Sequence, residues 1–137
     1  MAETKKDEEQ VAQVVNWWEM DTVKMCEEGA YLQPEMPNGD LAPFKIKLIG
    51  KDSKAYGAKI RRVYEKTRNK KKGLNAAEIE IERMAIAVAC TIEWDVKWTD
   101  GKELPCTSDN VEMIYTQFPW ILEQVEDFIG DRANFLS

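Results

Sequence analysis

The chain has 137 residues, 44% of them hydrophobic, and a formal net charge of −6; that length and apolar content suit one ordinary globular domain, residues 1–137, with a real core. Histidine is absent, so the commonest neutral-pH acid/base and metal ligand is missing, and the Ser/His/Asp, Cys/His and His-containing zinc schemes go with it. No run of about eighteen apolar residues is available to span a bilayer, and the charged first ten residues lack the apolar core and cleavage site of a secretory signal, which predicts an intracellular protein whose first few residues are disordered.

From about Asp7 to Glu28 the chain should be helical, because Val11, Val14, Val15 and Trp18 recur at i, i+3, i+4 and i+7 and Met25 falls on the same stripe. Gly29 is the natural stop. The period then changes. Tyr31 and Leu32 lead into Pro34, Pro37-Asn38-Gly39-Asp40 is turn chemistry, and Phe44, Ile46 and Leu48 alternate with Lys45 and Lys47, which predicts a short β-hairpin. A two-stranded ribbon is marginal alone, so its Phe44/Ile46/Leu48 face should lie on helices.

Asp52 or Ser53 can cap a helix carrying Tyr56, Ile60, Val63 and Tyr64 on one stripe and ending near Lys72, with Gly73 as the stop. Asn75 and Glu78 form a capping-box start for the most apolar helix, in which Ile81, Ala85, Val88 and Ile92 share a face and small alanines admit close neighbours. Thr99-Asp100-Gly101 reads as a turn and Leu104-Pro105 as an extended step. Thr107-Ser108-Asp109 is a cap opening Val111, Ile114, Tyr115 and Phe118 at helical spacing. Pro119 suits a first-turn position, and Ile121, Leu122, Val125, Phe128 and Ile129 continue to Gly130. The expected fold is mainly α with a small β-hairpin (α+β), a single domain of about five helices, the C-terminal one kinked at Pro119. Ile46, Leu48, Ile60, Val63, Ile81, Val88, Ile92, Ile114, Phe118, Leu122 and Val125 form the expected core.

Cys26, Cys90 and Cys106 are too few and too scattered for a disulfide framework, and none has Cys-x-x-Cys spacing, so they read as reduced thiols. Gly50-Lys51-Asp52-Ser53 lacks the upstream glycine and the Lys-Ser step of a phosphate-binding loop. Glu78, Glu80 and Glu82 alternate around a helix and therefore diverge, which suits a solvated charged face better than acid/base chemistry. Catalytic, cofactor-binding and metal residues are accordingly all expected to be none, and no enzymatic activity is expected.

Charge is unevenly spread. Lys45 to Lys72 holds twelve Lys/Arg against Asp52 and Glu65, whereas residues 1–29 hold eight acids against Lys5, Lys6 and Lys24, and residues 107–137 hold six against Arg132. The simpler reading packs the basic helix beside acidic ones and leaves Arg68-Asn69-Lys70-Lys71-Lys72 as a solvated helix end suited to the helix dipole. The sharper one makes Lys59 to Lys72, with Tyr56 and Tyr64 interleaved, a nucleic-acid or acidic-partner patch; the overall acidity argues against nucleic acid.

Trp17 and Trp18 are adjacent and point about 100° apart on a helix. Trp18 lies on the apolar stripe and is expected in the core, which leaves Trp17, near Met20, at its margin or as an exposed anchor. Trp94, Trp98 and Trp120 read as structural, with Trp94 ending the most apolar helix. The candidate partner-binding residues are therefore Trp17, Met20, Lys70, Lys71 and Lys72.

The order of these signals resembles a group of small proteins encoded among phage and prophage tail genes. Gly29 before a short strand, Pro37-Asn38-Gly39, Ile46 leading to Gly50-Lys51-Asp52-Ser53 and a basic helix carry the first part. Trp94, Asp100-Gly101, Leu104-Pro105, Asn110-Val111, Pro119-Trp120, Gln124 and Asp131-Arg132-Ala133-Asn134-Phe135 carry the second, so that the resemblance covers residues from about 20 to 137. It implies a tail assembly chaperone in the host cell cytoplasm that holds the tape-measure protein and the tail tube subunit in an assembly-competent state, with no cofactor, no membrane and no catalytic residues. Other readings are a structural virion component, such as a minor tail or head–tail joining protein, and a nucleic-acid-binding regulator acting through Lys59–Lys72. A homo-oligomer is the further partner expectation.

Overall fold

The computed structural model describes residues 14–136; the first part of the expected Asp7–Glu28 helix, and the expected disorder of the first few residues, lie outside them. Within 14–28 the chain forms two pieces instead of one continuous helix, a 3-10 turn at Trp17–Met20 and helix α1 at Thr22–Glu28. The cause is side-chain competition for backbone donors. Asn16 accepts from the Trp18 N–H, and Asp21 breaks the helix (φ −75°, ψ 87°) to accept from the Lys24 N–H and restart it. Trp18, expected in the core, is exposed for the same reason: its stripe loses its register at Asp21. Gly29 ends α1 at φ +84°, where a Cβ would stand 2.8 Å from the Leu48 carbonyl oxygen.

Strand β1, Ala30–Leu32, pairs antiparallel with β2, Ile46–Leu48, around the Pro37–Asp40 turn, in which Asn38 Oδ1 accepts from the Asp40 N–H at 3.0 Å. The sheet has a third strand, β3 (Thr91–Trp94), on the other edge of β2, with Ile46 opposite Trp94 and Leu48 opposite Thr91. It supplies part of the cover that a two-stranded ribbon lacks.

Helix α2, Lys54–Arg68, starts where the Ser53 hydroxyl accepts from the Tyr56 N–H. Helix α3, Ala76–Ala89, starts at the Asn75/Glu78 capping box. It stops at Cys90 rather than running on to Ile92, and Trp94 accordingly belongs to β3. The switch coincides with β-branched Thr91, whose hydroxyl donates back to the Ala87 carbonyl at 2.8 Å and lies 2.7 Å from the Tyr115 hydroxyl. Helices α4, Ser108–Gln117, and α5, Pro119–Gly130, are separated at Phe118 (φ −123°, ψ 73°). The expected kink is thus a full break, because proline disfavours helical geometry in the residue before it and brings no N–H of its own. Phe118 is exposed at this corner.

A final 3-10 turn, Arg132–Phe135, folds Phe135 against Phe128 with ring centroids 5.4 Å apart. The core joins Ile46 and Leu48 of β2, Ala87 and Cys90 from α3, Val111, Ile114 and Tyr115 of α4, and Ile121, Val125 and Ile129 of α5. Trp94 closes one end by donating its indole N–H to the Leu104 carbonyl at 2.7 Å. Ile60, Val63, Val88 and Leu122 are only half-buried, and Ile81 and Ile92 are exposed. Those two expected core positions are therefore corrected, and Phe118 with them: Ile92 falls in a strand, Ile81 faces away from the core, and Phe118 stands at the corner between α4 and α5.

Candidate partner-binding groove

Helix α3 presents two unlike apolar faces. At 100° per residue, Arg83, Ile86, Ala87 and Cys90 fall together on one side, and Ile81, Met84, Ala85 and Val88 fall roughly opposite. The first set meets the core, where Ala87 and Cys90 are buried. The second lines an open groove of about 520 Å³, whose walls are Lys59 of α2, Ser108 and Glu112 of α4, and Glu80 and Ala89 of α3 itself. Ile81 is 65% exposed there. Ala85 and Ala89 keep the floor low, so side chains entering from outside could reach the helix surface. Periodicity puts Ile81 in the core with Val88 because it registers an apolar face without registering what covers it; Val88 packs partly against the core, and Ile81 does not.

The basic helix borders this groove and is tied to α3. Lys66 pairs with Glu82, and Lys70 with Glu78. The Lys66 ammonium, supported by Arg62 and Lys59, holds the Glu82 carboxyl below its ordinary range; of these three cations Lys59 lines the groove, beside Glu80 and Glu112. The acids that pair with α2 and the turn after it belong to α3, not to the acidic end segments 1–29 and 107–137 that the simpler sequence reading set beside it. Glu80 engages Arg83 at 2.9 Å.

The residues singled out from sequence occupy two separate places. Trp17 and Met20 lie in the 3-10 turn before α1, exposed together with Trp18 and Val14; Trp17 is 72% and Trp18 82% exposed. Lys70, Lys71 and Lys72 form the exposed turn between α2 and α3. Helix α1 docks at the opposite end of α2, where Glu27 accepts from the Lys54 N–H, and fifteen helical residues extend about 22 Å. The two sets are thus not brought into one site.

Titratable groups give little chemistry to the interior. Burial pushes the Cys90 thiol up to about 12, which keeps it protonated and inert at neutral pH, and burial raises the Tyr115 phenol as well. Asp52 is held down to about 2, first by Arg132 and then by the Thr22 side chain. Asp52 and Glu82 both move away from the value a general acid near neutrality needs. Among the described residues no group of three or more His, Cys, Asp or Glu is placed to hold a metal ion, and no helix is long and apolar enough to cross a membrane. Comparison with family models, with curated protein sequences and with solved structures gave no match.

Proposed function

We propose that this chain is a non-enzymatic tail-assembly chaperone of the kind its motif order resembles, and that it holds the apolar stripe of a helical tail protein, the tape-measure or tail tube subunit, in the α3 groove in the host cytoplasm. The observation that carries the reading is an open groove on α3 lined by exposed Ile81 and half-buried Met84, Ala85 and Val88, with Lys59, Glu80 and Glu112 at its edges. An amphipathic helix buries such a stripe by laying its own i, i+3, i+4 and i+7 anchors into the groove. That shields apolar surface in both molecules until the tube polymerises. The mechanism needs shape and desolvation and no reacting group.

The test is co-expression with the neighbouring tail genes, followed by pull-down and identification of the retained tail protein. Wild type should retain it and Ile81→Asp should lose it at unchanged circular dichroism. Equal retention by both proteins overturns the groove as the site. Abundant copies of the protein in purified mature particles overturn the transient role in favour of a structural virion component.

A further inference from the structure

We propose that the outward face of α2 binds duplex DNA through its phosphate backbone, with α2 lying in the major groove and cations on both of its flanks. This surface is separate from the α3 groove, which Lys59 alone of the cations of α2 lines.

Helix α2 lies at the edge of the fold. It is the one helix of the five with no buried residue among those described. Ala55 and Tyr56 pack against the core from one side, and at 100° per residue Lys54, Arg61 and Arg68 fall roughly opposite Tyr56 and Val63. The cations divide accordingly. Lys66 and Lys70 are paired with Glu82 and Glu78 of α3. Lys54, Arg61, Arg62, Arg68, Lys71 and Lys72 are exposed, and among the described residues none of them makes an ion pair. Packing against acidic neighbours thus accounts for two basic residues and leaves these six, with Glu65 as the one acid on α2.

Their arrangement fits two rows of phosphates better than the irregular charges of an acidic protein. Arg61 and Arg68 are seven residues apart, so they stand about 10 Å apart on nearly one line, while Arg62 is turned about 100° from Arg61 onto the other flank. Ala58 and Glu65 lie between the flanks, so the acid faces neither row. The side is open, since a Cβ on Gly57 would meet nothing within 4 Å. A helix about 10–12 Å across matches a major groove about 12 Å wide, and guanidinium groups, which three of the six cations carry, bond phosphate oxygens bidentately. The chain's net charge of −6 opposes this contact only weakly. Charges are largely screened beyond about 8 Å in physiological salt, α2 is about 22 Å long, and the acids against its inner side are already paired.

The experiment is fluorescence titration of a labelled mixed-sequence DNA duplex with the full chain at several salt concentrations, with circular dichroism as the folding check. It compares wild type with Arg61→Ala/Arg68→Ala and Lys66→Ala/Lys70→Ala, which remove the same charge and so separate the outer face from net charge. Wild type should bind in the micromolar range and weaken steeply between about 50 and about 200 mM salt. Arg61→Ala/Arg68→Ala should bind at least about tenfold more weakly and lower the salt slope by about 2, whereas Lys66→Ala/Lys70→Ala should stay within about threefold of wild type. Should the first variant lose its helical signal, Lys71→Ala/Lys72→Ala, in the turn beyond the helix, takes its place with the same expectation. Equal losses in the outer-face and inner-face variants overturn the face, and absence of binding at about 50 mM salt overturns DNA binding outright. Tighter binding of the matching single strand overturns the duplex in favour of base stacking on exposed Tyr64. Displacement of the duplex by polyglutamate at equal anion concentration overturns DNA in favour of an acidic protein.

Discussion

Arg83 of α3 and Glu126 of α5 form a bidentate ion pair, Nε to Oε2 at 2.9 Å and Nη2 to Oε1 at 2.7 Å. It bridges two helices that both feed the core, one through Ala87 and the other through Val125 and Ile129, whereas the second acid on Arg83, Glu80, lies one turn away on the same helix. Parallel guanidinium–carboxylate bonds fix geometry as well as adding energy. The pair is partly exposed, so its coupling is that of a well-formed surface pair, about 0.5–1 kcal/mol. A double-mutant cycle on Arg83→Ala and Glu126→Ala should return that value and lose most of it in 1 M salt. The equivalent cycle with Glu80→Ala should return less.

Gly50 is required for space. A Cβ there would overlap Cys26 Sγ and stand 3.0 Å from both Cys26 Cβ and Phe135 Cδ2, and the Gly50 N–H already donates to the Cys26 carbonyl. Gly50→Ala should destabilise by about 1–3 kcal/mol, as overpacking does. Adding Cys26→Ala should recover only part of the loss, because the Phe135 ring stays close. Urea unfolding of the two variants checks this, and full recovery would show that sulfur alone sets the limit.

The Asp52–Arg132 pair, at 2.6 and 2.8 Å, ties the start of α2 to the final 3-10 turn. The folded-state pKa of Asp52, about 2, lies below its ordinary 3.8. Its contribution to stability is therefore fully present above about pH 4 and is lost as pH falls from there through about 2. Asp52→Asn should lower the melting temperature slightly at pH 7, and the gap to wild type should close between pH 4 and pH 2. A gap that widens on acidification is incompatible with this assignment.

How far the sequence disclosed this fold depended on whether a signal was local. Ser53, Asn75 with Glu78, Thr107 and Pro119 act on backbone within three residues, and each begins a helix where it was read. The alternation Ile46-Lys47-Leu48 is local too, and both apolar residues are buried. Strand β3 was illegible because Thr91 and Ile92 prolong the apolar run of α3, and only pairing with distant Ile46 and Leu48 makes them extended. Trp18 failed through Asp21, whose capping role outweighed the stripe. The groove failed differently. Ile81, Ala85 and Val88 have helical spacing and were rightly put on one face, but whether that face meets α5 or the outside depends on how α2, α4 and α5 are arranged around α3.

That distinction gives the last prediction, a comparison of aspartate placed on the two faces of the same core. Val125 is fully buried in the core, whereas Val88, mid-stripe on the most apolar helix, is half-buried along the groove, and Ile81 is exposed. An unpaired carboxylate at Val125 has no route to water, and its cost of several kcal/mol is comparable with a total stability of about 5–15 kcal/mol. At Val88 the carboxylate can turn into the groove, so the loss should be intermediate, about 1–2 kcal/mol. At Ile81 it should stay within about 0.5 kcal/mol, as for an ordinary surface change. Thermal unfolding followed by circular dichroism should therefore show no cooperative transition for Val125→Asp, a lowered one for Val88→Asp and a nearly unchanged one for Ile81→Asp. If Ile81→Asp unfolds the chain as completely as Val125→Asp, the Ile81 face is a core face, and the groove loses its standing as a docking surface.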